Sequence, residues 1–183
     1  MKTRQSPGIP TNGDETRSVE RSRTVELLAL VAICIGYFLV ILDATIVNVV
    51  APILQTQLGT TRTAVQWVID GYLLMFASLL LTAGALGDRL GNKQVFLAGF
   101  LLFTTASAFC GFAASIDILI AARFIQGVGA AFLVPPSLAL LNQTFATQQE
   151  RAKATGVWAS VAGIAAAAGP VVGGLLIDWL VPG

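Results

Sequence analysis

Histidine is absent from this 183-residue chain, which removes the commonest metal ligand and the commonest general base. Charge is scarce as well. Asp, Glu, Lys and Arg together make up 11% of the residues, against about 25% in an ordinary soluble domain. Cysteine occurs twice, as Cys34 and Cys110, in separate apolar runs. The two form neither a metal-ligand spacing nor a redox motif, and are read as small packing residues within helices. No metal site and no cofactor are expected. Without histidine or a recognisable nucleophile–base set, an enzyme is not expected either. The net charge of +1 gives no support to nucleic-acid binding.

What is abundant is apolar surface. Hydrophobic residues account for 55% of the chain and the mean hydropathy is +0.77. A soluble fold of this length has no room to hide so much. A bilayer core of roughly 30 Å is crossed by about 20 apolar helical residues, and five segments qualify, at about 27–54, 65–87, 94–114, 118–145 and 154–180. The runs are long and lack strict alternation, which favours helix over the alternating strands of a barrel. The expected fold is therefore all-α and integral to the membrane, with residues 27–183 as a single transmembrane domain. Residues 1–26, polar and carrying Pro7 and Pro10, are expected to form a disordered N-terminus. The first apolar run is long and lacks a small-residue cleavage site, so it reads as a retained helix rather than a signal peptide.

Helix-start signals agree with these spans. Thr63 with Gln66 fits a capping box before the second helix, and Thr147 with Glu150 fits one before the fifth. Ser115 can cap the fourth, with Asp117 in its first turn. A kink is expected at Pro135 and Pro136. Basic residues set the orientation. A cytoplasmic N-terminus places Lys2, Arg4, Arg17, Arg21, Arg23, Arg89, Lys93, Arg151 and Lys153 inside, nine of the 11 bases, and leaves only Arg62 in an outer loop. An odd number of spans then puts the C-terminus outside. Trp67 and Tyr72 read as interfacial aromatics beside Asp70.

Four local patterns stand out, in order. In the first helix, residues 42–52 (Leu-Asp-Ala-Thr-Ile-Val-Asn-Val-Val-Ala-Pro) put Asp43 inside a membrane span. That costs roughly 2.5–3.5 kcal/mol at the bilayer centre, which makes function the default reading of such an acid. The second pattern ends the second helix. Gly84, Gly87 and Gly91 permit a tight reversal there, and Asp88, Arg89 and Lys93 cluster around it. The third is Arg123-Phe124-Ile125-Gln126-Gly127 in the fourth helix, where Arg123, Gln126 and Ala130 share one face and Gly127 with Ala131 forms a small-residue packing pair. The fourth lies in the fifth helix: Gly156, then Gly169-Pro170 and Gly173-Gly174. These are positions for a bend and for close helix contact.

In these four patterns the chain resembles the major facilitator superfamily, and within it the fourteen-helix drug:proton antiporter branch. The resemblance covers about residues 27–183. Asn92 stands where a basic residue is usual, and Ala165 where a glycine is usual. The resemblance implies an N-terminal, incomplete half of the family fold. Such transporters are built from six-helix halves, each a pair of inverted three-helix repeats, working by alternating access. It further implies a multi-pass protein of the plasma membrane, in contact with lipid. A small-molecule substrate and protons as the coupling ion would belong to the full-length protein, together with the missing C-terminal half. Asp43 and Arg123 would serve proton coupling and face the central cavity. Gly84, Asp88, Arg89, Gly91 and Lys93 would form a gating loop. Gly127, Ala131, Gly156, Gly169, Pro170, Gly173 and Gly174 would serve helix packing and the antiporter motif. The implied function is multidrug or small-molecule efflux by proton antiport, with the fragment not competent alone. The alternative reading is a standalone membrane protein that associates with or regulates a transporter.

Overall fold

The computed structural model describes the backbone of residues 12–57 and 59–180, and the side chains of residues 23–56 and 59–175. Residues 1–11, for which disorder is expected, and the side chains of Arg17, Arg21 and Asp178 lie outside the described residues. Five helices follow one another: α1 (Asn12–Gln57), α2 (Arg62–Leu90), α3 (Asn92–Gly111), α4 (Ile116–Thr144) and α5 (Gln148–Leu180). Each contains a stretch long and apolar enough to cross a membrane. The number and order of spans agree with the hydropathy reading.

The ends differ in instructive ways. α1 runs back to Asn12, past the span expected from Leu27, so residues 12–26, for which disorder is expected, are helical. Pro10 is the last proline before it, so nothing in the backbone chemistry stops the helix sooner. α2 is capped by Thr61, whose hydroxyl accepts from the Ala64 amide, and not by Thr63. Gln66, freed from the expected box, donates to Asp70 instead at 2.9 Å. The box at α5 forms as expected: the Glu150 amide donates to the Thr147 hydroxyl at 3.2 Å and the Thr147 amide to the Glu150 carboxylate at 3.1 Å. Ser115 caps α4. Pro135 and Pro136 sit within α4, which continues as helix to Thr144.

α4 is the central element. It packs along both α2 and α3, while α5 packs along α1. The burial pattern inverts that of a soluble protein. Leu81 and Phe112 are 87% exposed, whereas Arg123, Gln126 and Ser137 are buried. With lipid outside, apolar exposure carries no penalty, and polar groups must find partners within the bundle. Two aromatic contacts help fix α1, α4 and α5 together. Tyr37 stacks on Trp158 with ring centroids 4.0 Å apart, and the Trp158 indole N–H donates to the Ser137 hydroxyl at 3.2 Å.

Elsewhere the helices touch through missing side chains. A Cβ on Gly129 would lie 2.6 Å from the Phe103 amide nitrogen and 2.8 Å from its Cα, both backbone atoms of α3. A Cβ on Gly127 would strike the Tyr72 carbonyl of α2. Between them α4 presents a flat strip to each neighbour, and Ala130 and Ala131 complete it with no exposed surface. This is the close backbone approach that small residues allow where no hydrophobic effect drives helices together.

Gly129→Val should separate α3 from α4, because backbone atoms have no rotamer by which to yield. A loss of about 1–3 kcal/mol or more is the ordinary cost of such overpacking. Gly163→Ala, at a position with nothing within 4 Å, should be neutral or stabilising by up to about 1 kcal/mol. Thermal unfolding of the two purified variants in one detergent checks the contrast; equal melting temperatures would count against the packing assignment.

Candidate functional site

Asp43 is placed by α1 and Arg123 by α4, 80 residues later in the chain, and the two meet. The Arg123 Nη1 donates to Asp43 Oδ2 at 2.6 Å. The guanidinium side chain is 3% exposed and the carboxylate 20%. Arg123 therefore does not reach toward the membrane surface along its stem. It is held inside by partners on every side. Its Nε donates to the Val68 carbonyl of α2 at 3.2 Å, its Nη1 also donates to Gln126 Oε1 at 2.8 Å, and its Cζ lies 4.2 Å from the centroid of the Tyr72 ring. A guanidinium offers five donors and keeps its charge. Carboxylate, amide, peptide carbonyl and aromatic face between them answer it.

Three contributors to this site carry no site role in the sequence reading. Gln126, with no exposed surface, donates through Nε2 to Asp43 Oδ1 at 3.0 Å, so the acid is gripped at both oxygens by α4. Tyr72, expected at the membrane interface, is 3% exposed and lies under Arg123. Its hydroxyl is buried without a hydrogen-bond partner among the described residues. The Cys110 thiol of α3 donates to Gln126 Oε1 at 3.4 Å, a polar contact beyond the packing role expected of it. The spacing of Arg123 and Gln126 on one helical face was the available signal for the amide. Nothing local marked Tyr72 or Cys110.

Local chemistry sets the stage for the acid. Thr45 bonds back to the carbonyls of Ile41 and Leu42 at 3.0 and 2.9 Å, and Asn48 to that of Ala44 at 3.0 Å. These polar neighbours are satisfied within their own helix and do not compete for Asp43. Two residues past the acid, the Thr45 hydroxyl rests against Gly169 of α5, where a Cβ would collide with it. One turn on, a Cβ at Gly173 would be 3.2 Å from Val49. Gly169 and Gly173 thus perform the expected close packing. Gly156 and Gly174, expected to do the same, have nothing within 4 Å of a built Cβ among the described residues, and Pro170 is exposed. The reason is helical geometry: Gly169 and Gly173 are spaced by four and share the α1 face, which Gly156 and Gly174 do not. Ala165 is fully buried, so its methyl is accommodated.

The second cluster lies apart from the first. α2 and α3 are joined by Gly91 alone, with φ of 97°, a left-handed conformation that glycine adopts without strain. Its amide closes α2 on the Gly87 carbonyl at 2.9 Å. Asn92 turns inward against Gly87 and is 5% exposed, so it serves the corner itself. Gly84 faces Pro135 of α4, 3.9 Å from a built Cβ. Asp88, Arg89 and Lys93 all stand exposed around this corner.

Comparison with known proteins follows this geometry. The family model described as Major Facilitator Superfamily matches residues 33–182. The methylenomycin A resistance protein of Bacillus subtilis (strain 168) is 39% identical over 87% of this chain and 34% of its own length. The multidrug resistance protein Stp of Mycobacterium tuberculosis (strain CDC 1551 / Oshkosh) is 41% identical over 84% of this chain and 28% of its own. The tetracenomycin C resistance and export protein of Streptomyces glaucescens is 41% identical over 81% and 28%. The chain thus spans about a third of the length of the relatives it matches. With five apolar helices, a charge pair enclosed by four of them, and a match that takes in the whole bundle from Ile33 onward, this chain is a multi-pass membrane protein belonging to the major facilitator superfamily.

Proposed function

We propose that this chain is the N-terminal portion of a transporter that exports small, often amphipathic compounds in exchange for protons, and that Asp43 is its proton-binding group. The observation that carries the reading is the enclosed pair of Asp43 and Arg123. An acid inside a membrane span must be paired, protonated or in reach of water. Asp43 is paired and keeps a fifth of its side chain exposed; on this proposal that face lines the water-filled cavity between the two halves, from which a proton reaches it. Its proton affinity depends on whether the guanidinium stays beside it. Because the two groups sit on different helices, a relative movement of α1 and α4 makes and breaks that dependence. This is what coupling an inward proton gradient to outward movement of a substrate requires. The names of the relatives, which speak of drug resistance and export, support the substrate class.

The rest of the reading follows from the fold type. In transporters of repeated architecture the substrate site lies between two halves that rock against each other, so the 183 residues by themselves would not transport. The exposed cluster of Asp88, Arg89 and Lys93 would act as a gate against the second half, with the one-residue turn at Gly91 holding it in place. The distribution of bases supports a cytoplasmic N-terminus and an outer loop between α1 and α2.

Three outcomes are expected. In the complete transporter, Asp43→Asn should abolish proton-driven export while some substrate binding remains, and Arg123→Ala should change the pH dependence of exchange. Both are measured in vesicles beside thermal stability, and a well-folded Asp43→Asn protein with normal coupling would sink the reading. Arg89→Ala should slow exchange more than it weakens substrate binding; a large fall in affinity at unchanged rate would remove the gating role. In whole cells, a membrane-impermeant thiol reagent should label Thr63→Cys and spare Gln149→Cys, and the reverse pattern would invert the topology.

A further inference from the structure

Gln126 is a member of the buried network that can both donate and accept, and its neighbours dictate which way it faces. Its Nε2 faces Asp43 Oδ1 at 3.0 Å, while its Oε1 faces both Arg123 Nη1 at 2.8 Å and the Cys110 thiol at 3.4 Å. A carboxylate only accepts and a guanidinium only donates, so with Asp43 ionised the amide has one workable orientation. Protonation of Asp43 removes that constraint at one end. A proton on Oδ2 would confront the Arg123 N–H, which has no lone pair to receive it. A proton on Oδ1 confronts an amide, and an amide turned by half a revolution presents an acceptor.

We propose that Gln126 is a positioning residue that reports the protonation state of Asp43: when a proton from the aqueous phase binds at Oδ1, the amide reverses, accepts from the new O–H through Oε1, and no longer accepts from Arg123 or Cys110. The thiol makes the reversal tolerable. A thiol is both a weak donor and a weak acceptor, so Cys110 can donate to Oε1 before the turn and accept from Nε2 after it. A side chain that only donated would block the second state. Arg123 keeps Asp43 Oδ2 and the Val68 carbonyl but now meets an amide N–H where it had an acceptor. Proton binding thereby loosens the hold of α4 on its own guanidinium and reverses the direction of its bond to α3, on which α4 packs. The groups facing Asp43 from the other elements are few. Tyr72 comes from α2, Cys110 from α3, and Arg123 with Gln126 from α4; α5 meets α1 next to the acid through Gly169, which does not titrate.

This inference deepens the proton-coupling reading, and one measurement separates the two. Cys34→Ala leaves Cys110 as the sole thiol, and its S–H stretch absorbs in an infrared window clear of other protein bands. The 183-residue chain carrying that change is reconstituted in lipid and titrated with pH. As the carboxylic C=O band of Asp43 grows in, the S–H band should move to higher frequency, with the same midpoint, because the thiol ceases to donate. Asp43→Asn has both an acceptor and a donor at this position, so it should hold the S–H band at the high-frequency value at every pH. Gln126→Leu should do the same by removing the acceptor. If Asp43 protonates while the S–H band stays fixed, the amide reversal is wrong and the coupling reading survives. If a carboxylic band assignable to Asp43 never appears, both fall. The titration of the Cys34→Ala chain decides between these outcomes even if neither further variant folds.

Discussion

The burial of one guanidinium governs this structure. Arg123 cannot discharge itself, and its side chain is 3% exposed, so the fold has to bring partners to it. They come from two other helices and its own: Asp43 on α1, the Val68 carbonyl and Tyr72 ring on α2, and Gln126 one turn along α4. Removing one member of a buried ion pair costs about 3–5 kcal/mol, because the other is left charged and unanswered. The pair links α1 to α4, and its desolvation makes it a weak source of net stability. A fully apolar replacement could pack as well, but it would have no charge state to change.

The packing around the pair runs through small residues. α4 lies against α2 and α3 through glycine and alanine, with backbone nearly in contact at Gly127 and Gly129. α5 lies against α1 through Gly169 and Gly173, beside the acid. Smooth surfaces of this kind attract mainly by dispersion over short distances. The specific, directional element is the polar network, and it sits where those surfaces meet. Its members also sit toward one end of the bundle, since Val68 and Arg123 lie within about two turns of the starts of α2 and α4, and Cys110 lies at the end of α3.

The sequence made much of this legible. Five spans emerged from hydropathy because the bilayer imposes a length that no tertiary contact alters. Asp43 and Arg123 stood out because charge inside a span is costly enough to need a reason. The box of Thr147 and Glu150 and the cap at Ser115 are local hydrogen bonds and form as their spacing requires. The cap of α2 was misplaced by two residues, since Thr61 and Thr63 both suit the role and only the path of the chain from α1 chooses between them. Tyr72 was read as interfacial from its position near a helix end. Its depth depends on which face of α2 turns toward α4, and the residues beside it do not reveal that.

What the sequence by itself determined is the class of solvent, the number of spans, the tight corner at Gly91 and the identity of the two charges that must be answered. Each of these is fixed by a local cost: apolar length, a backbone angle, or a buried ion. Which groups answer those charges was decided only when the helices assembled. Cys110, Val68 and Tyr72 carry nothing in their own neighbourhoods that points to Asp43, and Gln126 is marked only by the helical face it shares with Arg123. They converge because small residues let α4 approach α2 and α3 within backbone distance, and a hydrogen bond of about 3 Å between segments 83 residues apart is a property of that approach.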